Sequence, residues 1–190
     1  MRRTDKMERM SSDPSSAERI NLFSLVTYLP EPLAGFIDHL RQELVPGCSL
    51  RAHVTHLVPR RLDDSRLASE EIRDTLRRSE PFELRLDDVE IFTLTSVVYV
   101  ALSKGLAEMQ KMHAALNLGA AYFDEPFPYH PHITLAQQIS PAQVPGVFEH
   151  ARLRWAEFAH RRVFRVERAT FVQATRFNTW IDLDDYPLGG

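Results

Sequence analysis

Pro131-His132-Ile133-Thr134-Leu135-Ala136 reads as a short buried strand, and its centre is a triplet that occurs twice in the chain. The other copy lies in Arg51-Ala52-His53-Val54-Thr55-His56-Leu57-Val58, again with strand character. Both triplets run histidine, β-branched apolar residue, threonine. Side chains alternate along a strand, so His53 and Thr55 share one face while Val54 turns to the other. The same holds for His132 and Thr134 about Ile133. Each triplet therefore offers an imidazole beside a hydroxyl, above an apolar anchor.

Outward from the triplets, the two halves repeat one order. Leu22 to Leu29 is a mostly apolar strand closed by Pro30, and Leu33, Phe36, Ile37, Leu40 and Leu44 then recur at helical spacing until Pro46-Gly47. The first histidine strand follows, then a charged amphipathic helix over residues 65–79 with Leu67, Ile72 and Leu76 inward. Phe82, Leu84 and Leu86 alternate with charged residues as a half-exposed strand. In the second half a strand over 96–102 precedes a helix over 106–118 with Met109, Met112 and Leu116 inward. The second histidine strand and a helix over 141–158 come next. Two further strands, over 163–173 and 177–183, close the chain. The interval between the histidines nearly equals that between the leading strands. This pattern predicts an α/β fold of two lobes, duplicated as strand-helix-strand-helix units about a pseudo-two-fold axis, with antiparallel-rich sheets lining a central cleft.

Residues 1–20 are rich in Ser, Arg, Asp and Glu and carry too little apolar surface to offset ordering entropy, so a disordered tail is expected there, with the two-lobed domain over 21–190. The 190 residues are 44% hydrophobic and 26% charged, an ordinary globular balance that needs no covalent staple. Cys48 is the only cysteine, which excludes an internal disulfide and fits a reducing compartment. No apolar run approaches the roughly 20 residues of a membrane helix. The charged start lacks the apolar stretch of a secretory signal. A cytoplasmic location, no membrane partner and a monomer are the expectations. Formal net charge is −3, against the basic face expected of a protein that grips extended duplex nucleic acid. A small phosphate-bearing molecule or a single RNA end remains compatible.

Facing pairs of imidazole and hydroxyl suit phosphoryl chemistry. Cleaving a phosphodiester needs a base for the attacking oxygen and an acid for the leaving one, and imidazole serves either role near neutrality. The threonine hydroxyls can donate to non-bridging oxygens where charge develops. No metal and no cofactor is required by this scheme.

The paired triplets, with Pro131-His132-Ile133-Thr134-Leu135 the sharper copy, resemble the two-histidine phosphoesterase superfamily, which includes 2′-5′ RNA ligase-like proteins and cyclic nucleotide phosphodiesterases. Arg51-Ala52-His53-Val54-Thr55 followed by Pro59-Arg60 is similar to the bacterial 2′-5′ RNA ligase-like branch. The resemblance runs from about Leu22 to Leu183. It implies a bilobal α/β fold with the site in the cleft, and an enzyme acting on 2′,3′-cyclic phosphates or related 2′-5′ diesters, with RNA ligation as the reverse sense. It implies His53 and His132 as the catalytic pair and Thr55 and Thr134 as phosphate-binding residues.

His56 departs from the family's apolar residue after the threonine. On strict alternation it points away from the groove toward the helices, where it needs a hydrogen-bond partner. His130 shares the face of His132, as a rim residue or, in the rival reading, a ligand of a metal-dependent hydrolase. Arg60 could hold a terminal phosphate. Tyr122, Phe123, Phe127 and Tyr129 mark a loop before the second triplet, where an aromatic could stack on a base. Trp180 is expected in the core. A non-catalytic module that binds an RNA end or nucleotide is the other alternative.

Overall fold

A computed structural model describes residues 18–190. In chain order the elements are β1 (Arg19–Tyr28), α1 (Leu33–Leu44), β2 (His53–Arg60), α2 (Ser65–Arg77), β3 (Phe82–Phe92), β4 (Val97–Lys104), α3 (Leu106–Leu116), β5 (Ile133–Ala136), α4 (Val144–Ala156), β6 (Val163–Val166), β7 (Arg168–Thr175) and β8 (Trp180–Pro187). The strand expected from residue 22 begins earlier, at Arg19, so residues 19 and 20 belong to β1. Glu18 is described just ahead of it, with its carbonyl oxygen accepting from the Arg176 backbone N–H at 2.9 Å, and the rest of the proposed tail, residues 1–17, lies outside the described residues.

The strands form two four-stranded antiparallel sheets, ordered β2-β1-β7-β8 and β5-β4-β3-β6. The two orders correspond: each histidine strand or its extension is an edge, next to the leading strand of its own half. The third strand of each sheet is exchanged, because β3 follows α2 yet pairs with β4, and β7 comes late in the chain yet pairs with β1. The helices exchange as well. Helix α1 packs on β5 and α4, whereas α3 packs on β2 and α2. The duplication is thus built into one interlocked domain whose lobes share a continuous apolar core.

Local chemistry places most of these elements. Leu33, Ile37 and Leu40 form the buried stripe of α1. The Asp64 carboxylate caps α2 by accepting from the Leu67 backbone N–H at 2.9 Å. Leu67 itself is exposed, contrary to expectation, and Ala68 takes the inward position with Ile72 and Leu76. Gly105 turns β4 into α3 with φ +87°, where a Cβ would lie 2.6 Å from the Glu83 carbonyl oxygen.

One strand expected over 163–173 is two. Glu167 and Arg168 are consecutive exposed residues, so the alternation slips between Val166 and Ala169. On one side β6 pairs with β3, and on the other β7 pairs with β1, which carries the chain from one sheet to the other. The last strand, β8, starts at Trp180 rather than residue 177, after a turn at Arg176 and Phe177.

Candidate active site

Edge strands β2 and β5 border a groove of about 870 Å³ between the sheets, and His53, Thr55, His132 and Thr134 all line it. Each imidazole is fixed in the same way. His53 Nδ1 lies 2.6 Å from the Arg51 carbonyl oxygen, and His132 Nδ1 lies 2.7 Å from that of His130. A carbonyl oxygen only accepts, so each Nδ1 carries a proton and donates it. In the neutral form the Nε2 atom of each ring is left with its lone pair. That of His132 is 3.1 Å from the Thr134 hydroxyl oxygen.

Aromatic rings support both imidazoles. Trp180 lies with its ring centroid 4.6 Å from that of His53, and Phe92 meets His132 edge-on at 5.0 Å, backed by Tyr99 stacked on Phe92. Such packing fixes the rings and strips water from them. Burial is accordingly the main reason that the His53 pKa falls to about 3, with the Arg41 guanidinium adding to it against the opposing bond to Arg51. Burial also lowers the His132 pKa, helped by His130 and Arg41 and opposed by the bond to the His130 carbonyl. In the free protein burial therefore favours the neutral form of both imidazoles.

Arg41 was not legible as a site residue. It occupies an inward position of α1 and is only 3% exposed. Its Nε donates to the Thr134 carbonyl oxygen at 2.7 Å and Nη1 to that of Leu50 at 3.1 Å, so it bridges the approach to β2 and the start of β5 while lining the groove. The signal that finds it is a charge inside an apolar stripe, at the i+4 position from Ile37. Trp180, expected in the core, is half-buried and lines the groove.

Arg60 is not brought to the groove. It is 2% exposed and ion-paired with the buried Glu125 at 2.7 Å, and it donates further bonds to the Asn117 side chain and the Val58 and Ala121 carbonyl oxygens. These bonds fasten the 117–125 loop against β2 and commit all three guanidinium nitrogens to partners within the protein. Tyr129 and His130 do line the groove, with Phe127 at its rim, whereas Tyr122 and Phe123 do not. The Tyr129 hydroxyl donates to the Thr55 carbonyl oxygen at 2.7 Å, and its ring stacks on His113 at 3.9 Å. Tyr129 thereby supports the first triplet rather than presenting a free face. His130 is exposed and packs edge-on against Phe92 and Tyr99. Among the described residues, no three His, Cys, Asp or Glu side chains come together as metal ligands.

His56 faces the helices, fully buried, with Nε2 2.8 Å from the Thr27 hydroxyl. That hydroxyl spends its proton on the Arg168 carbonyl oxygen, so it accepts from His56 Nε2–H. His56 Nδ1 is then a bare lone pair without a partner, and burial, with His113 adding, pulls the pKa to about 3.

The chain matches the 2′-5′ RNA ligase superfamily over residues 29–176. No curated protein sequence matches it. Its fold is similar to that of Escherichia coli LigT complexed with 3′-AMP, at 20% identity and TM-score 0.61, over 91% of this chain and 99% of that one. TT0787 of Thermus thermophilus is similar at 17% identity and TM-score 0.58, over 89% and 98% of the two chains. Kluyveromyces marxianus Usb1 is similar at 13% identity and TM-score 0.50, over 88% and 98%. No helix among the described residues is long and apolar enough to cross a membrane.

Proposed function

Because the chain belongs to the 2′-5′ RNA ligase superfamily, we propose that it is a metal-independent phosphoesterase that opens a 2′,3′-cyclic phosphate, on a nucleotide or an RNA end, or cleaves a related 2′-5′ diester. One observation carries this reading. Two imidazoles, each with Nδ1 tied to a carbonyl oxygen two residues back, present Nε2 to one groove with a threonine beside each. One Nε2 takes a proton from water as its oxygen attacks phosphorus, while the other, protonated, gives its proton to the departing ribose oxygen. Each transfer is worth about 10²–10⁴ in rate. Thr55 and Thr134 donate to the non-bridging oxygens as charge builds there. The arrangement also permits the reverse, ligating sense, in which the same two nitrogens exchange roles.

Turnover itself requires one imidazolium, which burial in the free protein disfavours. The substrate's own negative phosphate counteracts the desolvation that favours the neutral form of both rings, so binding charges the general acid. Purified protein incubated with nucleoside 2′,3′-cyclic phosphates and with 2′-5′-linked dinucleotides, with and without EDTA, tests the reading. Conversion to a monoester, unchanged by EDTA, is expected. Tight binding with no product would leave a nucleotide-binding module, and loss of turnover on chelation restored by zinc would shift the chemistry to a metal.

A further inference from the structure

We propose that Arg41 is the anion anchor of the groove, donating from its free terminal nitrogen to a non-bridging phosphoryl oxygen. The proposal rests on the phosphoesterase reading of the groove and deepens it.

The geometry supplies the case. Arg41 reaches the groove from α1, and two of its three nitrogens are committed to carbonyl oxygens, those of Thr134 and Leu50. Those bonds hold the guanidinium plane still. Nη2 takes no hydrogen-bond partner among the described residues. The nearest carboxylate oxygen, Asp38 Oδ1, is 4.0 Å away from Nη1, beyond a direct hydrogen bond. A buried cation whose nearest carboxylate is at the outer limit of an ion pair and makes no direct hydrogen bond to it is only partly compensated for its desolvation cost. Its position at the C-terminal turn of α1 offsets part of that cost. A phosphate in the groove would offset the rest.

The pseudo-symmetry sharpens the assignment. The carbonyl oxygen of each motif threonine accepts one side-chain bond, from Arg41 at Thr134 and from the neutral Tyr129 hydroxyl at Thr55. The fold needs only a donor at these two equivalent points, and one half satisfies that need without charge. A guanidinium in the other half is therefore more than a brace. Among the described residues it is also the one arginine or lysine lining the groove, where the carboxylate of Glu125 is already paired with Arg60. The negative charge of a diester, and the greater charge on its oxygens in the transition state, have Arg41 as their fixed counter-charge.

Inorganic phosphate is the probe, on the full chain. In wild-type protein, the Arg41 side-chain ¹⁵N resonances should move on phosphate addition together with those of His53 and His132. Histidine shifts with a silent Arg41 would overturn the proposal even if no variant folds. R41M should weaken phosphate binding at least about tenfold and lower kcat about 10²-fold, a larger effect on kcat than on KM, as for loss of a donor aimed at developing charge. R41K keeps the charge without the fork and should recover part of the phosphate affinity but less of kcat. A folded R41M protein that binds phosphate like wild type, with only its melting temperature reduced, would make Arg41 a brace and nothing more. Absence of cyclic-phosphate turnover in wild type would instead count against the phosphoesterase reading, which the phosphate titration does not depend on.

Discussion

Replacing Arg60 with methionine separates a structural arginine from a substrate-binding one. The side chain is 2% exposed and Glu125 is 8% exposed, so R60M leaves a carboxylate buried with only His113 nearby, at 3.6 Å. Breaking a buried pair by removing one partner costs about 3–5 kcal/mol. For a domain of this size, about 1 kcal/mol corresponds to roughly 2–4 °C, so melting should fall by on the order of 10 °C. Adding E125Q removes the stranded charge and should recover much of the loss, giving a coupling energy of at least about 1 kcal/mol in a double-mutant cycle. Urea unfolding followed by tryptophan fluorescence reads the stability, with kcat/KM taken well below the melting transition. The structure predicts a large stability loss and nearly unchanged kcat/KM. A stability change under about 1 kcal/mol together with a large loss of kcat/KM would refute the buried pairing and return Arg60 to the substrate.

Three further outcomes follow from the buried histidines and the lining of the groove. His53 and His56 have folded pKa values near 3, below the value of about 6.5 in an unfolded chain, so the unfolded state binds more protons between those limits. Stability should be complete above about pH 6.5 and fall below it by up to about 1.4 kcal/mol per pH unit per histidine, and a pH-independent urea midpoint from 7 to 5 would contradict this. Since burial favours the neutral form of both groove imidazoles in the free protein, the proposed mechanism predicts that kcat/KM declines as pH rises through the neutral range while kcat extends to higher pH; coincident profiles for the two parameters would show that substrate does not charge the acid. With Arg41 the one arginine or lysine in the described lining, a cyclic-phosphate-ended oligoribonucleotide should be no better a substrate than its terminal nucleotide, and log kcat/KM should fall with log salt at a slope no steeper than about −1. A slope of several units would show a polynucleotide track outside the groove.

What the sequence carries well is what local periodicity carries. The two triplets, the apolar stripe of α1 and the repeat of elements are readable because a strand alternates every two residues and a helix every 3.6. Pairing across the fold is not local. Arg60 resembles a loop arginine until Glu125, 65 residues on, is folded against it. Trp180 looks like core because its alternation is right, but β8 is an edge strand whose first residue faces His53. The split of β6 from β7 rests on two exposed residues that single-strand alternation absorbs as noise. Arg41 is the instructive miss: a charge at an inward helical position breaks the amphipathic rule, and such breaks gather where a site needs them.

The central claim is that His53 and His132 divide acid and base work across one phosphate. Steady-state kinetics of wild type, H53A, H132A and the double variant on one nucleoside 2′,3′-cyclic phosphate test it most directly, with far-UV circular dichroism to verify folding. Each single variant should lose about 10²–10⁴ in kcat. The double variant should lose less than the product of the two, because the residues act as a unit. Full activity in either folded alanine variant, on a substrate that the wild type turns over well, would contradict the paired-histidine account.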